Sequence, residues 1–333
     1  MTAPRVVVMA ASAGGIEALQ RVVGGLPADL EASVLVVLHL APGATSSLAR
    51  ILDRAGPLPA TAATDSAPLE AGRIYVCVAD HHLLVGPGHL HVRRGPRENG
   101  HRPAADPLFR SAAMYYGANV VGVILSGTLS DGTAGLHAVR RRGGVAVVQD
   151  PADALYEGMP SNALEYVGAD HVVPATEIGP LVGRLVKEMT VVDVGSPPSE
   201  LQQEVTLMES DDRVTESNHP GHPSPWPCPD CNGVLWEIDE GNILRFRCRV
   251  GHAWAAPDLL NVQEAAVETA LWTALRSLED RVALMRMLAQ QARSAGRDIG
   301  ARRFESDVEE YDRSVQVIRE LLTGQPGSQM DTG

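Results

Sequence analysis

An α/β fold built on a doubly wound, mostly parallel sheet is predicted for residues 1–190 by three observations. Short apolar runs alternate with helical patterns from residue 5 to about 188, the rhythm of parallel strands joined by crossover helices. The main runs, Val6 to Ala10, Val34 to Leu38, Val120 to Leu125 and Val145 to Val148, have the length and β-branched content of buried strands. The first run passes through Ala11-Ser12-Ala13-Gly14-Gly15 into the pattern Ile16, Ala18, Leu19, Val22, Val23, which reads as strand, tight turn and helix. Between the main runs, Ile74 to Val78, Leu83 to Val85 and Leu90 to Val92 are short and closely spaced, with Gly86-Pro87-Gly88 among them. They read as antiparallel hairpins inserted beside the sheet.

The remaining chain divides by composition. Residues 191–226 lose periodicity and carry Gly195-Ser196-Pro197-Pro198, Glu209-Ser210-Asp211-Asp212 and His219-Pro220-Gly221-His222-Pro223, the signature of a disordered linker. A small Cys/His unit follows at 227–257. Over 258–323 two apolar stripes, Val267, Leu271, Ala274, Leu278, Val282, Met285 and Val308, Tyr311, Val315, Ile318, Leu322, flank Ser294-Ala295-Gly296 and predict an antiparallel helical hairpin. Residues 324–333 are expected to form a flexible tail.

A chain of 333 residues with a net charge of −13 holds one full core and a smaller second unit, and its acidity argues against nucleic acid as a partner. Neither a signal-peptide pattern nor a long uncharged apolar window is present, so no membrane insertion and a cytoplasmic location are expected. Three of the four cysteines fall between positions 228 and 248, which suits a metal site better than a disulfide framework. Cys77, alone in an apolar run, reads as a small buried hydrophobe.

Ser12 stands where a strand ends and a helix begins, beside N–H groups that stabilise developing negative charge. Serine chemistry needs a base and a group that orients it. His39 ends the run Val36-Val37-Leu38-His39, and Asp131 follows Val121-Gly122-Val123-Ile124-Leu125-Ser126-Gly127-Thr128-Leu129-Ser130. Carboxyl ends of parallel strands share one edge, so the three can converge there. Each also has a plain structural reading: a tight turn for Ser12, a core histidine for His39, and for Asp131 a cap on the helix starting at Gly132.

These residues carry a resemblance. Ala11-Ser12-Ala13-Gly14-Gly15, His39 with Pro42 and Ser46-Ser47-Leu48, Gly72-Arg73-Ile74-Tyr75-Val76, His101-Arg102-Pro103 with Asp106 and Leu108-Phe109, Ser126-Gly127 with Asp131-Gly132, and Gly158-Met159-Pro160 together resemble the catalytic domain of the chemotaxis-type protein-glutamate methylesterases (CheB-type). The resemblance implies hydrolysis of γ-glutamyl methyl esters on chemoreceptor-type proteins or related signalling proteins, with deamidation of glutamines in some members, and places the family's triad on Ser12, His39 and Asp131. The backbone N–H groups of Ala13 and Thr128 are the expected oxyanion donors, and no cofactor is expected for catalysis. Two departures stand out. Gly127-Thr128-Leu129-Ser130 replaces the family's usual Gly-Met-Gly, and the receiver domain that usually precedes the catalytic strand is not expected here, because that strand starts at residue 5.

Cys228-x2-Cys231-x16-Cys248-x3-His252 presents two ligand pairs at spacings that suit a structural, four-coordinate zinc in a zinc-ribbon-like module. Set apart by the linker, this module and the helices behind it are expected to recruit the substrate, a methyltransferase or another partner, leaving the esterase unit independent of the metal. The competing expectation is a catalytically idle esterase-like scaffold that serves as a signalling interaction module.

Overall fold

Val6, Val7, Val8, Met9 and Ala10 have no exposed surface, because β1 (Arg5–Ala11) is the central strand of a seven-stranded sheet covered on both faces. The computed structural model describes residues 5–41, 43, 47–209 and 221–324; Pro42 and Ser46 of the family-like motifs, residues 210–220 of the expected linker and 325–333 of the expected tail lie outside them. From β1 the chain runs through α1 (Gly15–Gly24), β2 (Ala32–Leu38), α2 (Leu48–Ala55), β3 (Ala60–Ala62), β4 (Ile74–Val76), the hairpin β5 (His82–Gly86) and β6 (His89–Arg93), α3 (Ala105–Tyr116), β7 (Val120–Ile124), α4 (Thr133–Arg141), β8 (Val145–Gln149), α5 (Gly158–Tyr166), β9 (His171–Val173) and α6 (Ala175–Glu188). Strand order is β3-β4-β2-β1-β7-β8-β9, all parallel. Alternation along β1 sends Val7, Met9 and Ala11 into a core shared with α1 and α6. Val6, Val8 and Ala10 face a second core shared with α3 and α4.

The order of strands reverses on the two sides of β1, and such a switch point opens a crevice at the carboxyl ends. Backbone bonds hold that edge in register: Leu125 N–H donates to Ala10 O (2.9 Å) and His39 N–H to Ala11 O (3.2 Å).

Two details differ from the sequence expectation. Within the run Ile74 to Val78, Ile74–Val76 is a parallel strand between β2 and β3, not part of a hairpin; a short unbroken apolar run has no periodicity that distinguishes the two. Of the three short runs, only β5 and β6 pair with each other as the expected antiparallel hairpin, in register Leu84↔His91. The linker over 191–226 is also corrected. It contains α7 (Ser199–Glu209) and β10 (His222–Pro227), and Val192 exchanges two hydrogen bonds with the Asn119 side chain (2.9 and 3.1 Å).

Composition missed α7 because its buried face, Glu204, Val205 and Met208, includes a charge. Glu204 is 1% exposed and is matched by three arginines. Arg245 holds it bidentately (2.7 and 3.0 Å), Arg247 at 3.1 Å and Arg110 at 3.4 Å. Arg247 and Arg110 also bind Glu98, and Arg245 binds Glu240. Three guanidiniums and three carboxylates thus neutralise one another.

Arg245 and Arg247 belong to the four-stranded antiparallel sheet of β10, β11 (Val234–Asp239), β12 (Leu244–Cys248) and β13 (Ala253–Ala255). This sheet lies in the same compact unit as the parallel one, which runs to Leu259. From Leu260 the second unit comprises the rest of α8 (Ala256–Ser294) and α9 (Asp298–Thr323). The two helices run antiparallel, shown by Arg319–Glu279, Arg286–Asp312 (2.5 Å) and Arg293–Glu305 (2.7 Å). Leu275, Val282, Met285, Ala289, Ala301 and Val315 form their seam, while Val267, at the head of the expected stripe, is exposed. Among the described residues no helix is long and apolar enough to cross a membrane.

Candidate active site

Ser12 follows β1 in a turn that the backbone closes on itself. Its N–H donates to Ser126 O (2.9 Å), and Gly15 N–H donates to Ser12 O (2.9 Å). Gly14 completes the turn at a φ of 68°, a left-handed conformation natural to glycine; a Cβ there would lie 2.8 Å from Ser126 Oγ. Ser126 Oγ–H in turn donates to Ala13 O (2.8 Å) and accepts from Tyr156 N–H (3.0 Å), so the serine turn is pinned to the end of β7.

The structure brings the three expected residues together. His39 Nδ1 lies 3.0 Å from Ser12 Oγ, and Nε2 lies 2.6 Å from Asp131 Oδ2. An ionised carboxylate only accepts, which assigns the proton to Nε2 and leaves the Nδ1 lone pair facing the serine hydroxyl. Asp131 does not cap α4, since Gly132 occupies that position. Its Oδ2 accepts from Ala105 N–H (2.6 Å) as well as from His39, and its Oδ1 accepts from Asn99 Nδ2–H (3.1 Å) and Asp106 N–H (3.3 Å). The carboxylate therefore sits on the N-terminus of α3, where the helix dipole favours negative charge.

Burial alone would raise the pKa of Asp131, which is 1% exposed, but the His39 hydrogen bond and charge, the Ala105 N–H and nearby His101 hold it well below the carboxylate range. Its neighbour Asp106 moves the other way, raised by burial and by the charge of Asp131. Asn99 Nδ2 bridges the two (3.1 and 3.2 Å), and Gly135 N–H donates to Asp106 Oδ1 (2.7 Å). His101 stacks on His39 with centroids 3.8 Å apart; burial and the His39 charge lower it to about 4, so it covers the imidazole as a neutral ring. A cleft of about 280 Å³ opens beside His39, walled by Arg97, His101 and Arg102.

Among the described residues, neither the Ala13 nor the Thr128 N–H donates within the fold, whereas Gly127 N–H is taken by Tyr156 O (3.0 Å). Thr128 is exposed. Leu129 adopts a φ of 66°, a strained conformation for a leucine. Asn162 Nδ2–H holds its carbonyl at 2.7 Å.

The second cluster read from sequence also assembles. One donor atom from each of Cys228, Cys231, Cys248 and His252 lies within 4.8 Å of the others. Cys231 Sγ and Cys248 Sγ are 3.6 Å apart, and His252 Nδ1 is 3.5 Å from Cys248 Sγ and 3.8 Å from Cys228 Sγ. A tetrahedron with bonds of about 2.3 Å to sulfur and about 2.05 Å to nitrogen has edges of about 3.8 and 3.6 Å, so the donor set fits one zinc-sized ion. Cys77 is buried against Leu38 and takes no part in either site.

Two residues that hydrogen-bond to Asp131 or to its neighbour Ser130 escaped sequence reasoning. Asn99 sits in an Asn-Gly dipeptide that reads as a turn, and Asp258 reads as an ordinary acid in the first turn of α8. Asp258 accepts from Ser130 Oγ–H (2.6 Å) and Ser130 N–H (3.3 Å), one residue from Asp131. Long-range pairing leaves no local signal for either.

A family model described as CheB methylesterase matches residues 7–182. A Caulobacter vibrioides protein named protein-glutamate methylesterase/protein-glutamine glutaminase 2 is 39% identical over 182 residues, 53% of this chain and 52% of the relative. An Anaeromyxobacter dehalogenans protein, named as number 3 of that activity, is 47% identical over 171 residues, 51% of this chain and 50% of the relative. The chain spans about half the length of the curated relatives it matches. The crystal structure of the Thermotoga maritima CheB methylesterase catalytic domain aligns with a TM-score of 0.53 at 32% identity, covering 55% of this chain and 99% of that one. By its sheet, its site and these matches, the chain belongs to the CheB methylesterase family.

Proposed function

We propose that this chain is a serine carboxyl-ester hydrolase that removes methyl groups from glutamyl γ-methyl esters on a chemoreceptor-type signalling protein. The observation that carries the reading is the continuous line from Ser12 Oγ through His39 to an ionised, four-fold hydrogen-bonded Asp131. Ser12 Oγ attacks the ester carbonyl as its proton passes to His39 Nδ1. Asp131 stabilises the resulting imidazolium, and the N–H groups of Ala13 and Thr128 receive the oxyanion. The Nδ1 proton then returns to the departing methoxide as methanol, leaving a glutamyl ester on Ser12. Water, deprotonated by His39, cleaves that ester and frees the glutamate carboxylate and the serine hydroxyl. A glutamine side chain entering the same steps loses ammonia instead, which is the deamidation named for the relatives.

The same reading gives Cys228, Cys231, Cys248 and His252 a structural zinc. Four closed ligands leave no position for substrate, so the ion would hold the module's hairpins and take no step in hydrolysis. Metal analysis of protein expressed with ample zinc should find one zinc per chain, lost in Cys231→Ser; a metal-free wild-type protein would remove the site.

A serine-directed phosphonate tests the hydrolase reading. It should label wild-type protein at Ser12 and leave Ser12→Ala unlabelled, and wild-type protein should release methanol from methyl-labelled receptor fragments. An unlabelled wild-type protein without methanol release would make the fold an idle scaffold.

A further inference from the structure

The acid of the site is held from outside the parallel-sheet domain. The segment between β6 and α3 carries Glu98, Asn99 and His101, and the Cys/His sheet pairs with it. Asn99 N–H donates to Ala253 O (2.8 Å), Ala253 N–H to Arg97 O (3.2 Å), and Ala255 N–H to Asn99 Oδ1 (2.8 Å). The Asn99 amide is thereby fixed in one orientation: its oxygen is taken by β13, so its nitrogen must face Asp131 and Asp106. Arg247 of β12 holds Glu98 from the same side (2.8 Å), and the Trp254 ring lies against Gly100.

On the other flank of Asp131, Asp258 receives both the hydroxyl and the N–H of Ser130. Ser130 precedes Asp131 and follows the strained Leu129, so the loop needs an external anchor to keep one conformation. The turn Cys248–His252, which carries two of the four clustered donors, joins β12 to β13. It closes through Gly251 N–H to Cys248 O (2.9 Å) and Cys248 N–H to His252 O (2.9 Å). Its far side delivers Ala253, Ala255 and Asp258 to the acid.

We infer that Asn99 and Asp258 are positioning residues through which the Cys/His module fixes Asp131 in the geometry that orients His39. The inference rests on the serine-hydrolase reading of the site. Neither residue touches the Ser12 hydroxyl; both act by setting where the carboxylate stands and which lone pairs it offers. A carboxylate released on one flank keeps its charge but not its aim, and errors of about 1 Å in such supports cost about 100-fold in rate.

Full-length variants with a small methyl ester and the serine-directed phosphonate provide the test. Asp258→Ala and Asn99→Ala should each lower kcat about 10- to 100-fold with KM within about twofold, because the support is spent on the transition state and not on binding. Phosphonate labelling of Ser12 should slow in parallel. Asp258→Asn keeps an acceptor for Ser130 N–H and a donor for its oxygen, and should restore most of kcat. Ser130→Ala deletes only the hydroxyl donor and reads the same contact should the larger truncation not fold. Wild-type labelling rates in the folded Ala variants, or an Asp258→Asn variant as slow as Asp258→Ala, would overturn the inference while the esterase reading stands. A wild-type protein that is never labelled at Ser12 would remove the esterase reading and this inference with it.

Discussion

Replacing Asp131 by asparagine tests the electrostatics of the site without changing its shape. Oδ2 of Asp131 accepts from His39 Nε2–H and Ala105 N–H, and Oδ1 accepts from Asn99 Nδ2–H and Asp106 N–H. An asparagine must therefore aim its NH2 at two donors, whichever way it turns. With the NH2 toward His39, the imidazole moves its proton to Nδ1 and presents N–H, not a lone pair, to Ser12. With the NH2 toward Asn99, that amide cannot flip in response, because Ala255 N–H fixes its oxygen. In both orientations the imidazolium formed in the transition state loses its counter-charge in a pocket where Asp131 is 1% exposed. Wrong-tautomer and lost-charge effects of this kind cost about 10³- to 10⁴-fold in kcat, or about 4–5.5 kcal/mol of barrier. Ser12→Ala and His39→Ala should cost more, and Ser12→Ala combined with Asp131→Asn little more than Ser12→Ala alone, because the three act as a unit. Methanol release at saturating substrate measures the effect. A folded Asp131→Asn protein within about tenfold of wild type would refute the argument that this carboxylate sets the tautomer and charge of the base.

Three further expectations follow from single contacts. Gly127→Ala would place a Cβ 2.2 Å from Met159 Sδ and 2.8 Å from Ser12 Cβ, so it should lower both stability, by about 1–3 kcal/mol, and the rate of Ser12 labelling; urea unfolding and labelling kinetics check the two together. Glu204→Ala leaves the guanidiniums of Arg110, Arg245 and Arg247 to share only Glu98 and Glu240, in a buried site where their charges hold the Glu204 pKa down against burial. It should cost about 3–5 kcal/mol in chemical unfolding, and an unchanged midpoint would show that the network contributes nothing. Asp258 is raised to about 6, by burial first and then by the charge of Asp131 against the Ser130 hydrogen bonds. A folded acid with a raised pKa binds its proton more tightly than the unfolded chain does, so the contribution of Asp258 to stability falls as pH rises from about 4 to 6, by up to about 3 kcal/mol. Asp258→Asn should flatten that slope in unfolding curves taken across the interval, and an identical slope in both proteins would exclude Asp258 as its source.

Ser12, His39 and Asp131 were legible in the sequence because each ends, or closely follows, an apolar run, and parallel strands bring such ends to one edge. The four metal-type ligands were legible because two short spacings carry the geometry. Ile74 to Val78 was misread because a short unbroken apolar run contains no period. Helix α7 was hidden by its composition, since its buried face includes Glu204, a residue type that belongs outside unless paired, and the pairing arginines stand at positions 110, 245 and 247. Asn99 and Asp258 were hidden for the same reason. Their partners are Ala255 and Ser130, and the local sequence around each reads equally well as a turn or a helix start.

The boundary that composition places near residue 190 does not divide the fold, and the buried charges explain why. An arginine with almost no exposure is stable only with carboxylates in reach. Arg110 comes from α3, whose first residues receive Asp131; Arg245 and Arg247 come from the Cys/His sheet; Glu98 comes from the segment before α3; and Glu204 comes from α7. None of these segments can leave without stranding charge on the others, so α7 and the Cys/His sheet order together with α3. Helix α3 is also the element whose N-terminus cradles the acid. The sequence expectation of an esterase unit independent of its Cys/His module is thus replaced by a single unit to Leu259, in which the module's β13 and the start of α8 complete the shell around Asp131.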